Sequence, residues 1–270
     1  MLNTAMRAAR EAGKMALATA GKPMYQRWKA ARDLVTGSVL PIQDKIIELI
    51  KADFPSHAIL AEEGENQSSQ EADPLWVVDP IDGTLNFSQG IPHAAISIAY
   101  REEGVYRVGV VYDPFRDEMF HAIQGRFARL NEQNIAVQQV GEGETAYDAA
   151  IVGMDLPGGF SERQQSFNIA SLMGTQCVTL TIMGSPALGM CYVAAGRLHS
   201  YFALGLQIWD VAAASVILGE SGGILTDIRG GSWLHTTGGY IASNGVIHGW
   251  MYRNAILVLD RPKKVNAQST

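Results

Sequence analysis

Cysteine is scarce in this chain. Only Cys177 and Cys191 occur in 270 residues, and they form no C-x-x-C pair. Histidines and cysteines do not cluster at zinc-ligand spacing either. We therefore expect neither a disulfide framework nor a structural zinc site, and a reducing compartment fits best.

An excess of basic residues is also missing. The formal net charge is −6 and the sequence pI is about 5.5. A protein that binds nucleic-acid phosphates or anionic lipid needs a basic surface. We therefore expect no nucleic-acid partner and no membrane partner.

The chain has no long apolar run at its N-terminus. The segment MLNTAMRAAREAGKMALATAG places four charged residues among alanines, so it lacks the continuous apolar core of a signal peptide or a membrane span. It is typical of an amphipathic helix. A transit peptide is the alternative, and we expect a cytoplasmic protein.

With 47% apolar and 18% charged residues, the chain can bury a substantial core. Its 270 residues are long enough for one large domain or two modest ones. Helices are predicted near the N-terminus and at about 41–52, with Pro41 in the first helical position. Strands are then predicted at about 57–61, 75–79, 94–101, 106–112 and 118–123.

A polar segment at about 140–148 marks a change of pattern. Beyond it, the predicted strands are 149–154, 177–183, 199–203, 224–228 and 240–243, and the predicted helices are 160–173, 186–195, 210–220 and one from about 246. The alternation predicts a layered α/β unit. We therefore predict an α+β half over 1–143 and an α/β half over 144–270.

Two aspartates stand close together in WVVDPIDGT, at the end of an apolar run. Asp79 and Asp82 suit an ordinary turn around Pro80. Alternatively, they lie at a strand end that faces a crevice, where Glu62, after the apolar AILA, supplies another carboxylate. Crowded carboxylates repel one another unless a cation neutralises them, and an oxygen-only set suits Mg²⁺ or Mn²⁺.

Two further segments fit such a centre. Gly83 and Thr84 offer adjacent backbone N–H groups and a hydroxyl, which suit an anion held close to the main chain. Asp210 is predicted to begin the helix of IWDVAAASVILGESGG, where it is either another acidic ligand or only the N-cap.

The stretches AEEG (61–64), DPIDGT (79–84) and WDVAAASVILGESGG (209–223) resemble the signature regions of the inositol monophosphatase family of metal-dependent, lithium-sensitive phosphatases. The resemblance spans nearly the whole chain and implies a layered α-β-α-β-α sandwich of the sugar-phosphatase type, usually a homodimer. The DGT also suggests haloacid-dehalogenase phosphatases, but these need an aspartate where Pro80 stands.

The resemblance also implies roles for particular residues. Glu62 and Thr84 would be catalytic, because they orient a water that Mg²⁺ activates for attack on phosphorus. The substrate would be bound by Gly83, Thr84 and Asp210. The implied metal ligands are Glu62, Asp79, the carbonyl of Ile81, Asp82 and Asp210, with Mn²⁺ as a substitute for Mg²⁺.

Three positions depart from the family pattern. Val39 stands where members often have an aspartate that accepts a hydrogen bond from the catalytic threonine, so Asp44 or a water would have to replace it. Thr181 stands in place of an arginine. Ala203 stands where inositol-preferring members have a glutamate that binds a substrate hydroxyl.

These departures broaden the expected function. We expect a Mg²⁺-dependent phosphomonoesterase for a small phosphorylated alcohol, such as an inositol monophosphate-like, sugar, histidinol or nucleotide phosphate. The alternative is a family member with weak catalysis that acts as a regulatory or scaffolding protein.

Overall fold

The computed structural model describes residues 1–22, 26–30, 33–64, 68–138, 146–235 and 238–260. The predicted boundary between the two halves, at 143/144, lies outside these residues. The division into two halves therefore stays a prediction.

The N-terminal part of the chain forms a seven-stranded sheet. Its strands, in spatial order, are β3 (Ala58–Ala61), β4 (Leu75–Asp82), β5 (Ala95–Glu102), β6 (Val105–Asp113), β7 (Glu118–Ile123), β8 (Arg129–Leu130) and β9 (Gln133–Asn134). Only β3 and β4 pair in parallel, and the other pairs are antiparallel. The parallel pair brings the C-terminal ends of β3 and β4 to one sheet edge.

The C-terminal part forms a five-stranded sheet. Its spatial order is β11 (Thr179–Ile182), β10 (Ile151–Met154), β12 (Ser200–Leu206), β14 (Gly238–Ser243) and β13 (Ile224–Asp227). Strand β10 runs parallel to both of its neighbours, and β14 runs antiparallel to both of its own.

Helices cover and separate the two sheets. They are α1 (Leu2–Thr19), α2 (Val39–Asp53), α3 (Thr84–Ser88), α4 (Phe160–Gly174), α5 (Pro186–Ala194), α6 (Ile208–Glu220) and α7 (His248–Leu259). Helices α1 and α2 pack on the seven-stranded sheet, α5 and α6 lie between the sheets, and α4 and α7 pack on the five-stranded sheet. This arrangement confirms the predicted α-β-α-β-α layers.

Period-two alternation explains how the sheet is buried on both faces. Along β4, Trp76 and Val78 join the apolar cluster under α1 and α2, whereas Leu75 and Val77 join the cluster around α5 and α6. Because successive side chains of a strand point to opposite faces, a strand between two helix layers is a continuous apolar run.

Helix α6 lies unusually close to the sheet beneath it. A Cβ atom at Gly109 of β6 would lie 2.1 Å from the carbonyl oxygen of Ala213. Glycine is required here because any side chain would collide with the helix backbone.

The structure differs from the sequence prediction in several elements. Helix α2 begins at Val39, so the prediction that Pro41 takes the first helical position is wrong. The hairpin of β1 (Gln26–Ala30) and β2 (Asp33–Thr36) and the short α3 were not predicted. None of the helices in the described ranges is both long and apolar enough to cross a bilayer.

Candidate active site

The predicted site residues line one cavity of about 530 Å³ between the two sheets. Their shared feature is a position at a strand end or at the first turn of a helix. The cavity is lined by Glu62, Asp79, Ile81, Asp82, Gly83, Thr84 and Asp210, which are all of the residues predicted for metal, substrate and catalysis. The structure therefore brings the predicted set together.

A one-residue bulge at the end of β4 brings its two aspartates together. Asp79 pairs with Ser97, and Asp82 pairs with Ala95, so three steps along β4 match two along β5. Residues three apart on a regular strand point to opposite faces. The extra residue turns Asp82 to the side of Asp79, and Pro80, which has no N–H to donate, suits an irregular segment of this kind.

Asp79, Asp82 and Asp210 each place a carboxylate oxygen within 4.8 Å of the other two. Asp79 is 2% exposed and Asp82 is 3% exposed. Burial raises the pKa of Asp79 well above its usual range, and the charges of Glu62, Asp82 and Asp210 raise it further. Burial and the charge of Asp210 likewise raise the pKa of Asp82. Within the described ranges, no basic side chain is among the groups that offset the charge of these two carboxyls.

Asp82 has two hydrogen-bond donors from the other side of the cavity. Its Oδ2 accepts a bond from the hydroxyl of Ser185 and another from the N–H of Ala187, at 3.0 Å. Ser185 is the N-cap residue of α5. These bonds orient the carboxylate and connect the seven-stranded sheet to the central helix layer.

Asp210 reaches the cluster from the first turn of α6. The helix begins at Ile208 with Gln207 as its N-cap, and Gln207 and Asp210 form a capping box. The predicted start at 210 and the interpretation of Asp210 as the N-cap are therefore both wrong. Its Oδ2 accepts the N–H of Gln207 at 2.7 Å.

Glu62 follows β3 directly. Its N–H donates to the carbonyl of Val78 at 3.0 Å, so the parallel pairing continues one residue beyond the strand. A hydrogen bond with the Glu62 carboxyl is among the causes that raise the pKa of Asp79. The strand-end rule used on the sequence is thus sufficient to place Glu62 next to Asp79.

The turn after β4 is compact and forms the floor of the cavity. Gly83 has φ of 94°, and a Cβ atom there would lie 2.7 Å from the carbonyl oxygen of Gly184. Glycine is therefore required both by the backbone conformation and by the close approach. The Thr84 hydroxyl donates to the carbonyl of Ile81 at 3.0 Å.

The acceptor of the Thr84 hydroxyl differs from the sequence expectation. Ile81 supplies it, whereas Asp44 is exposed on α2 and makes no bond to Thr84. Val39 is fully buried in the apolar cluster under α1 and α2. The polar partner expected at these positions is thus replaced by a main-chain oxygen.

Four lining or supporting residues were not singled out for these roles from the sequence: Asn86, Asp155, Arg163 and Ser185. Asn86 Nδ2 donates to the carbonyls of His93, Met183 and Gly184 at 2.9, 3.1 and 3.3 Å. Asp155 follows the predicted strand 149–154, so the rule that selected Asp79 could have selected it as well. No sequence signal pairs Asn86 with 183–184 or Ser185 with Asp82.

Asp155 holds the loop between β11 and α5. Its Oδ1 accepts the N–H groups of Met183, at 3.1 Å, and Gly184, and its Oδ2 accepts the Tyr201 hydroxyl at 2.7 Å. Burial raises the pKa of Asp155 to about 6 although these bonds lower it. All of these partners are neutral.

The donor set fits a hard divalent cation. It offers carboxylate and carbonyl oxygens without sulfur or nitrogen, and Mg²⁺ and Mn²⁺ prefer such ligands. Its crowded carboxylates have raised pKa values, which is the condition that a bound cation relieves.

The chain is similar in sequence to a protein family and in structure to several solved proteins. The profile of the inositol monophosphatase family matches residues 1–257. Nus factor SuhB of Vibrio cholerae is 39% identical over 248 residues, which cover 90% of this chain and 91% of that protein.

Two solved structures are also similar. The Thermotoga maritima IMPase is 30% identical with a TM-score of 0.86, covering 94% of this chain and 96% of that chain. A structure described as an IMPase/NADP phosphatase complexed with Mg²⁺ and phosphate is 25% identical with a TM-score of 0.75, covering 86% of this chain and 85% of that chain.

Proposed function

Because this chain belongs to the inositol monophosphatase family, we propose that it is a Mg²⁺-dependent phosphatase that hydrolyses the phosphate monoester of a small alcohol. The observation that carries the proposal is the convergence of Asp79, Asp82 and Asp210 at a cavity whose floor is the Gly83–Thr84 turn. The similar structure described with Mg²⁺ and phosphate supports it.

In this proposal the cation would be held by carboxylates from the seven-stranded sheet and from helix α6. Its ligands are Glu62, Asp79, the carbonyl of Ile81, Asp82 and Asp210, with Mn²⁺ as a substitute. When bound, Mg²⁺ supplies the positive charge that phosphoryl transfer requires. Ser185 and the Ala187 N–H keep the Asp82 carboxylate oriented toward this set.

The remaining steps belong to residues of the chain. The N–H groups of Gly83 and Thr84 hold the phosphate, and Asp210 also contacts the substrate. The Thr84 hydroxyl orients the attacking water and Glu62 accepts its proton. As the water oxygen bonds to phosphorus, the P–O bond to the alcohol breaks, and the leaving oxygen takes up a proton from solvent. No side chain of the chain becomes phosphorylated in this scheme.

The residues that line the cavity walls determine which leaving alcohol can bind. Strand β12 contributes Leu204, Gly205 and Leu206, whereas Ala203 is buried behind them. This part of the wall has no carboxylate to bind a hydroxyl of inositol. Sugar, polyol, histidinol and nucleotide phosphates are therefore proposed alongside inositol monophosphate-like esters.

Phosphate release from a panel of these esters, with saturating Mg²⁺, tests the proposal. The wild-type protein should hydrolyse at least one ester, and Asp82→Asn should reduce its kcat/KM by on the order of 10²-fold or more. Glu132→Gln, which removes an exposed carboxylate between β8 and β9, is the control and should not change the rate.

A regulatory function is the second candidate. It is favoured by the relative named Nus factor SuhB, at 39% identity. If the metal-loaded wild type hydrolyses no ester of the panel above background, the phosphatase proposal fails and the regulatory function is preferred.

Expectations about partners and location complete the proposal. We propose a cytoplasmic homodimer without a nucleic-acid partner. Light scattering checks the dimer, and a mobility-shift titration with RNA and DNA checks the last expectation, since a retarded band at physiological salt would contradict it.

A further inference from the structure

Arg163 is the cationic side chain among the described residues that line the candidate active-site cavity. It comes from α4, on the outer face of the five-stranded sheet, whereas Asp79 and Asp82 come from the other sheet. The residue is half-buried. The positively charged guanidinium of Arg163 thus shares the cavity with the acidic cluster, but it comes from a different layer of the fold.

The guanidinium of Arg163 is only partly satisfied. Its Nη1 donates to the carbonyl of Pro157 at 3.1 Å, and it forms no ion pair with an acidic residue of the described ranges. Asp155, which lines the same cavity, uses its oxygens on Met183, Gly184 and Tyr201. Most of the five N–H donors of the guanidinium therefore have no protein acceptor there.

The chemistry of a guanidinium determines which ligand group can accept its remaining hydrogen bonds. It cannot accept a hydrogen bond, and its planar fork matches two oxygens of a carboxylate or a phosphate. The nearby walls, Leu156, Ile182 and Leu204, offer apolar contact and no competing anion. An anionic group on the leaving alcohol is the partner that meets these conditions.

We propose that Arg163 determines specificity by binding a second anionic group on the leaving alcohol, so that the preferred substrates are phosphate monoesters carrying a carboxylate or another phosphate. This inference rests on the proposed phosphatase function. It makes Arg163 a substrate-binding residue that contributes more to anionic esters than to neutral ones.

Matched ester pairs test the proposal. 3-Phosphoglycerate differs from glycerol 3-phosphate by a carboxylate in place of a hydroxymethyl group, and fructose 1,6-bisphosphate differs from fructose 6-phosphate by a phosphate. The first pair tests the carboxylate and the second tests the phosphate. The measured quantity is the ratio of kcat/KM for the anionic ester to that for the neutral ester, with saturating Mg²⁺.

Arg163→Met should lower this ratio in at least one pair by about 10-fold or more, while kcat/KM of the neutral ester changes by less than about 2-fold. Arg163→Lys keeps the charge without the fork and should give an intermediate ratio. If Arg163→Met lowers both members of each pair equally, or leaves both ratios unchanged, the proposal is overturned. An equal loss with a lowered melting temperature would assign Arg163 to holding the Pro157 loop.

Binding separates this inference from the phosphatase proposal. The same esters are titrated calorimetrically with Mg²⁺ into Thr84→Ala, which keeps the backbone amide and should turn over slowly, and into Thr84→Ala with Arg163→Met. A Kd preference for the anionic ester that Arg163→Met removes supports the inference even if the wild type hydrolyses neither ester. Equal Kd ratios in the two proteins overturn it, even if hydrolysis is found.

Discussion

The Ser185 hydroxyl donates a hydrogen bond to Asp82 Oδ2 across 103 residues of sequence. Ser185 occupies the N-cap position of α5 without a side-chain bond to the helix, and Asp82 ends β4. This contact joins the residue before a central helix to a candidate metal ligand and orients the ligand's carboxylate.

Replacing Ser185 by alanine should weaken Mg²⁺ binding, because Asp82 loses a donor that orients its carboxylate. The free energy of unfolding should fall by about 1–3 kcal/mol. Calorimetric Mg²⁺ titration and urea unfolding measure the two effects. Ser200→Ala is the matched control, since the fully buried Ser200 donates to the neutral carbonyl of Ala242 at 2.7 Å. Its loss should lower stability but leave Mg²⁺ affinity unchanged.

Asp79→Asn should stabilise the metal-free protein while it abolishes hydrolysis. The raised pKa of Asp79 means that its ionised form destabilises the fold, and removing the charge should recover about 1–3 kcal/mol near pH 8. The amide oxygen can still accept the Ile81 N–H, at 2.9 Å in the wild type. Thermal melts with and without Mg²⁺ are the measurement, and only the wild type should be strongly stabilised by the ion.

Asp113→Asn is the matched control, because the same substitution there should destabilise the metal-free protein instead of stabilising it. Asp113 is equally buried, but it forms an ion pair with Arg116 at 2.9 Å and accepts the N–H groups of Phe115 and Arg116. Its substitution should destabilise the protein by about 1–3 kcal/mol. A metal-free Asp79→Asn protein that melts below the wild type would contradict the charge-crowding argument.

The stability of the metal-free protein should depend on Asp155 between about pH 4 and pH 7. Its pKa is about 6 in the fold and 3.8 in the reference state. A raised folded pKa gives stability that is fully present below pH 3.8 and is lost as the pH rises through 6. The difference in unfolding free energy between wild type and Asp155→Asn should therefore fall by about 3 kcal/mol across this range. Urea unfolding at several pH values checks this, and a constant difference would refute it.

Asn86→Asp should be among the most damaging isosteric substitutions in the chain. The Asn86 amide group faces three carbonyl oxygens, and a carboxylate there would repel all of them. We expect a loss of about 3–5 kcal/mol at pH 8, with partial recovery at acidic pH because a protonated carboxyl can donate one bond. Denaturant unfolding at both pH values is the measurement. The exposed Asn168→Asp should change stability by less than about 0.5 kcal/mol, and a similar small effect at position 86 would show that the three bonds are dispensable.

The sequence predicted which residues line the cavity better than it predicted how they are held in place. Glu62 and Asp79 follow apolar runs, so the strand-end rule selects them without tertiary information. The bulge that turns Asp82 toward Asp79 depends on how β4 pairs with β5, and hydrophobic alternation does not contain that register. For the same reason the bonds of Asn86 and Ser185 to residues 97 to 103 positions away could not be identified from local patterns.

At Asp210 the local sequence pattern was informative but predicted the wrong helix start. An acidic residue before an alanine-rich run is typical of an N-cap, so local pattern alone placed the helix start two residues late. Gln207 is a weaker N-cap by propensity, but Asp210 returns a hydrogen bond to its N–H and so completes a capping box. The helix gains an extra half-turn, and the carboxylate is moved to the cavity.

The close approach of Gly109 to Ala213 links the geometry of the acidic cluster to the distance between α6 and the seven-stranded sheet. This approach brings α6 near the sheet, and Asp210 lies in the first turn of the same helix. A single methyl group at Gly109 would lift α6 and spread the three carboxylates. If the cluster binds Mg²⁺ as proposed, a substitution at Gly109, which does not line the cavity, should therefore weaken ion binding.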